Sequence, residues 1–113
     1  MRYLFIHAMD PVRRVSPDEW ATVQARLEQW LTENRASGNY CHGARLAGAD
    51  SATTVRVRVG ERLVTDGPFA ETKEQIAGYD VIECEDLDQA IEIASRHPTL
   101  LAGAIEIRPF WGD

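Results

Sequence analysis

Lysine, cysteine and histidine are scarce in this sequence, and long apolar runs are missing. Lys73 is the only lysine beside eleven arginines. The 18 acids outnumber the 12 bases and leave a net charge of −6. Such a surface repels phosphate backbones, which argues against nucleic acid as a partner. Two cysteines, Cys41 and Cys84, make neither a disulfide framework nor a metal motif. Three scattered histidines, His7, His42 and His97, have no carboxylate at ligand spacing, so no metal site is expected. No stretch approaches the ~20 apolar residues of a membrane span. The run Tyr3-Leu4-Phe5-Ile6 is too short for a signal peptide. The expectation is a soluble cytoplasmic protein with no membrane partner.

What remains is a globular composition. Over 113 residues, 44% are apolar and 27% charged, which fits one domain spanning 1–113. Residues 2–8 read as a strand apolar on both faces, Leu4 and Ile6 on one and Tyr3 and Phe5 on the other. Ser16, Pro17 and Glu19 form a capping box for a helix. Trp20, Val23, Leu27, Trp30 and Leu31 make its apolar stripe, and Gly38 stops it. Residues 39–47 read as a second strand. Thr53 to Val59 and Arg62 to Thr65 read as a hairpin turning at Gly60-Glu61. Residues 76–84 form another strand. A second helix starts at Asp86, buries Leu87, Ala90, Ile91 and Ala94, and ends at Pro98. Ala104 to Arg108 closes the chain with a last strand.

This order, β-α-β, an inserted hairpin, then β-α-β, is an α+β ferredoxin-like split arrangement. Both helices then cover one sheet face. The bare face must hide against something, and a second copy is the simplest cover. A homodimer is therefore expected.

The most specific stretch is Thr65-Asp66-Gly67-Pro68-Phe69-Ala70-Glu71-Thr72-Lys73-Glu74-Gln75. Asp-Gly-Pro is turn chemistry, Phe69 can anchor the loop, and Lys73 stands between two carboxylates. With Ala77-Gly78-Tyr79, the acidic run 85–88 and the closing Ile105-Glu106-Ile107-Arg108-Pro109, it resembles the signature of DGPF-domain proteins in the YCII-like family. The resemblance covers essentially the whole chain. It implies a dimeric α+β barrel with two sheets facing each other. Relatives are associated with a His/Asp proton relay, with chlorinated lactones, and with genes beside alternative sigma factors. In that family the relay histidine lies in the first helix, but residues 17–37 here contain none. The relay is not transferable from that position.

Candidate catalytic groups are Asp66, Lys73, His7 and His42. Asp66 serves either as acid–base group or as a turn aspartate. Lys73 holds a substrate carboxylate or a surface ion pair. His7 and His42 are read either as proton-transfer groups, the usual work of histidine, or as structural. His97, at a helix end before Pro98, is explained by the helix dipole. Candidate ligand-binding groups are Arg56, Phe69, Glu71, Tyr79 and Arg108, with a cross-strand salt-bridge ladder as the other reading of the arginines. Trp20, Trp30 and Tyr79 belong to core or interface, and both cysteines are read as small buried residues. Two functions stay open: an enzyme without metal or organic cofactor acting on a small organic acid or lactone in a dimer cleft, and a non-catalytic ligand-binding or regulatory module. A cofactor-free oxygenase is a third, lesser reading.

Overall fold

A computed structural model describes residues 1–10, 13–68 and 75–112. Eight regular elements follow in order: β1 Arg2–Met9, α1 Pro17–Ala36, β2 Tyr40–Arg45, β3 Thr53–Arg58, β4 Glu61–Asp66, β5 Gln75–Glu83, α2 Leu87–Ser95 and β6 Gly103–Pro109. Short 3₁₀ turns occupy Ala49–Ser51 and Pro98–Leu101. The main sheet has strand order β2-β5-β1-β6, every neighbouring pair antiparallel. This is the ferredoxin-like order with β3–β4 inserted as a separate two-stranded sheet.

Local chemistry sets the helix bounds. Ser16 Oγ accepts from the Glu19 N–H at 3.1 Å, and Glu19 Oε1 accepts from the Ser16 N–H at 3.2 Å. Together they satisfy two otherwise orphaned donors. Pro17 sits where a missing N–H costs nothing. Past Ser37 the chain leaves α1 through Gly38 at φ 81°, a left-handed conformation that suits glycine. Asp86 caps α2 by accepting from the Gln89 N–H at 2.8 Å.

Both helices cover the face that carries Tyr3, Phe5, Ile82 and Cys84. Trp30 from α1 and Ala90, Ile93 and Ala94 from α2 complete that core. The Trp30 indole N–H donates to the Ile93 carbonyl at 3.0 Å and ties α1 to α2. Alanines at 90 and 94 let α2 approach the sheet closely. That rotation leaves Leu87 and Ile91 exposed, contrary to the sequence expectation. Cys84 is buried as expected, but Cys41 is exposed on edge strand β2. Leu4 and Ile6 therefore belong to the uncovered face, together with Tyr79 and Val81, their partners across β5. The molecule is a slab 18 Å through its shortest axis, the depth of one sheet plus one helix layer.

The β3–β4 hairpin buries little. Val55, Val57 and Val64 are each more than half exposed. Its turn is Val59-Gly60, one residue earlier than the sequence indicates, with φ of 50° and 77°. Both signs match a type I′ turn, whose preferred first residue is asparagine. A β-branched valine at positive φ is strained by about 1–2 kcal/mol. Val59→Asn is therefore expected to slow amide hydrogen exchange across Thr53–Asp66 by roughly 3- to 10-fold. Unchanged or faster exchange in that variant would contradict the strained turn.

Candidate active site

In β1, residues 3, 5 and 7 share the helix-covered face, and in β5 residues 78, 80 and 82 do so. Two polar residues therefore enter a layer that is otherwise apolar. His7 and Asp80 are each about 6% exposed. Their side chains meet, Nε2 to Oδ2 at 2.5 Å. The pairing of β1 with β5 shifts register between His7 and Ala8. Such a bulge re-aims side chains at the rim of a sheet.

His97 joins this pair from the end of α2. Its ring centroid lies 4.4 Å from that of His7 and 4.5 Å from that of Trp30. The Thr99 N–H donates to His97 Nδ1 at 3.0 Å. That bond makes Nδ1 an acceptor and places the neutral ring's proton on Nε2, which faces Asp80 Oδ2 at 3.7 Å. Burial, helped by the adjacent His7, lowers the His97 pKa to about 4 against the pull of Asp80. His97 is therefore neutral at pH 7.

Gly43 on β2 lies opposite Asp80. A Cβ there would overlap the Asp80 carboxylate, the Tyr40 hydroxyl and the Tyr79 carbonyl. Only glycine leaves the carboxylate its space. Burial first, and the charge of Asp80 second, raise the Tyr40 hydroxyl above the usual tyrosine range. It stays a protonated donor.

These groups form the inner end of a cavity of about 430 Å³ between α1 and the sheet. Val23, Leu27 and Leu31 of α1 supply an apolar wall. The stripe expected to be core is thus only half used: Trp30 and Asn34 are the buried residues of α1. Trp20, Arg35 and Arg45 stand at the exposed rim.

His7, Asp80 and His97 offer donor atoms within 4.8 Å of one another, a set able to hold a cation. The Thr99 bond opposes this use, because His97 Nε2 carries its proton when Nδ1 accepts. The arrangement favours hydrogen bonding to Asp80 instead. In the same way, a carboxylate accepting from His7 Nε2–H leaves the lone pair of the neutral ring on Nδ1. Among the described residues, His7 Nδ1 is the buried side-chain polar atom with no partner.

The other sequence candidates are dispersed. His42 Nδ1 lies 2.7 Å from the Tyr79 hydroxyl on the uncovered face. Arg108 pairs with Glu106 at 2.6 Å on β6. Arg56 and Asp66 are exposed on the hairpin, and neither lines the cavity. Lys73, Phe69 and Glu71 fall outside the described residues. At the centre of the site, the sequence reading passed over Asp80 and gave His97 only a helix-end role. The signal for Asp80 was present: an acid in the buried phase of an apolar strand.

Three comparisons bear on this geometry. The YCII-related domain pattern matches residues 1–111. An uncharacterised protein of Rhizobium meliloti (strain 1021) is 44% identical over 70 residues, 58% of this chain. The match covers 55% of that relative, so the chain spans about half its length. The 5-chloro-2-hydroxyhydroquinone dehydrochlorinase TftG from Burkholderia phenoliruptrix AC1100, solved with 2,5-dihydroxybenzoquinone, shares the fold. The TM-score is 0.56 at 14% identity, over 97% of this chain and 93% of that one.

The depressed His97 pKa has a signed consequence for stability. Below pH 6.5 the unfolded chain binds a proton at His97 that the folded chain refuses until about pH 4. Stability should fall across that window by roughly 1–3 kcal/mol from this group alone. His97→Gln should flatten the difference, read as urea unfolding at pH 7 and pH 4.5. Parallel pH profiles for the two proteins would remove the buried neutral imidazole.

Proposed function

The chain belongs to the YCII-related domain family, and from that premise we propose that it is an acid–base enzyme for a small organic molecule, with His7 as its proton-transferring group. The observation that carries the reading is the partnerless Nδ1 of His7. A buried acceptor without a partner costs about 1–3 kcal/mol. A substrate proton delivered to it recovers that cost. Asp80, 2.5 Å from Nε2, fixes the ring and stabilises the imidazolium that forms. His97 remains neutral and adds no competing positive charge. Tyr40 offers a hydroxyl donor at the cavity wall. The volume of about 430 Å³ lies in the range of small-ligand sites. It suits a single functionalised ring, the size of the quinone found in TftG. Small acids, lactones and hydroxyquinones are the first substrates to test.

Turnover, or exchange of a substrate C–H in D₂O, is expected for at least one compound of such a panel. His7→Gln and Asp80→Asn should each lower it by about 10²- to 10⁴-fold with circular dichroism unchanged. Full activity in His7→Gln would overturn the assignment. A ligand that saturates the protein and is returned without turnover or exchange would make this a binding module.

The same reading includes a homodimer. Leu4, Ile6, Tyr79 and Val81 are only half-buried on the uncovered sheet face, and the hairpin valines are more exposed still. A second copy of this chain covers both. Arg56 and Asp66 then belong to the interface between copies, apart from the proton transfer. Light scattering should return twice 12.7 kDa, and Val55→Glu with Val64→Glu should lower the mass toward one chain. A wild-type mass of one chain at micromolar concentration would refute the dimer.

A further inference from the structure

We infer that Arg35 and Arg45 form an anion clamp at the cavity rim, so that the ligand of this site is a small carboxylate with an apolar ring or chain, rather than a neutral lactone. The inference rests on the cavity being the ligand site, and it adds the charge of the molecule that enters.

Both guanidinium groups line the cavity from the last turn of α1 and the end of β2. Each lies over an aromatic ring of the same cavity. Arg35 Cζ lies 5.2 Å from the Tyr40 ring centroid, and Arg45 Cζ lies 5.4 Å from that of Trp20. A guanidinium over a ring keeps edge N–H groups for other partners, and Arg35 directs one of its five donors to the Tyr40 hydroxyl. Those edges are the donors that receive a carboxylate in a fork. Among the described residues, neither arginine has a carboxylate at ion-pair distance.

The charge pattern is local and runs against the whole chain. The protein carries −6, yet among the described residues the one acid lining the cavity is Asp80, already engaged by His7 at the inner end. Two arginines at the mouth of a cavity in an otherwise acidic surface draw anions to that rim. Between rim and inner end lies the apolar wall of Val23, Leu27 and Leu31. A fitting ligand is therefore anionic at one end, apolar in the middle and protic at the other end.

The experiment titrates the full-length protein with benzoate and 2,5-dihydroxybenzoate, and with benzamide and 2,5-dihydroxybenzamide, by amide NMR. The acids should bind roughly tenfold or more tightly than their amides, the expected scale of a charged hydrogen bond. Arg35→Gln with Arg45→Gln should erase that preference while amide binding is kept. Equal affinity of acid and amide for the wild type overturns the clamp and leaves the cavity reading standing. A preference that survives in the double arginine variant also overturns it. Shifts at none of the cavity residues with any of the four probes sink the clamp and the cavity together.

Discussion

A carboxylate inside a helix–sheet layer is the constraint around which this molecule is arranged. Asp80 stands in the buried phase of β5, between Gly78 and Ile82. Moved from water without partners, such a group costs several kcal/mol. The surrounding elements each contribute to its accommodation. β1 brings the His7 N–H, the turn after α2 brings His97, and β2 contributes the absence of a side chain at Gly43. Trp30 packs its ring on His97 and bonds to Ile93, so the joining of the two helices also fixes the second imidazole. Removing any one of these leaves Asp80 short of room or of donors, which makes the site part of the fold's own logic.

The cavity follows from how α1 lies on the sheet. A helix of 20 residues is about 30 Å long, and only part of that length is packed into the core. Its C-terminal half reaches the core through Trp30 and Asn34, and its N-terminal half does not. The apolar residues that precede Trp30 on its apolar stripe, Val23 and Leu27, line the cavity instead. In a molecule built for stability alone the space would be filled by larger side chains from β2 and β5. Here those positions carry Gly43, Ala44, Ala77 and Gly78. Small residues opposite an apolar stripe make a pocket, and the buried His7–Asp80 pair lies at its inner end.

Most of the fold was legible because its signals are local. The capping box at Ser16 and Glu19, Gly38, the alternating valines of the hairpin and the cap at Asp86 each act within a few residues. The misplacements were also local in origin. Leu87 and Ile91 share a helical stripe with Ala90 and Ala94, and only the tertiary approach of α2 decides which edge of that stripe is covered. The site was less legible. His7 stood out by type, but its partner lies 73 residues away. His97 had a sufficient local explanation at a helix end, and that explanation concealed its contact with Asp80. The resemblance to the YCII-like family directed attention to the first helix, where no histidine occurs, while the imidazoles here come from β1 and the turn after α2.

The same alternation that builds the site separates it from the other candidates. Successive strand residues face opposite ways, so Asp80 points under the helices while the Tyr79 hydroxyl meets His42 on the bare face. The sheet itself stands between the two histidine clusters. A single pocket holding both His7 and His42 would require the backbone of β5 to be crossed. The two clusters therefore answer to different demands. The covered one is buried and crowded, and among the described residues its His7 Nδ1 has no hydrogen-bond partner. The bare one is satisfied within itself, the Tyr79 hydroxyl and His42 Nδ1 meeting at 2.7 Å on the sheet face that also carries Leu4, Ile6 and Val81.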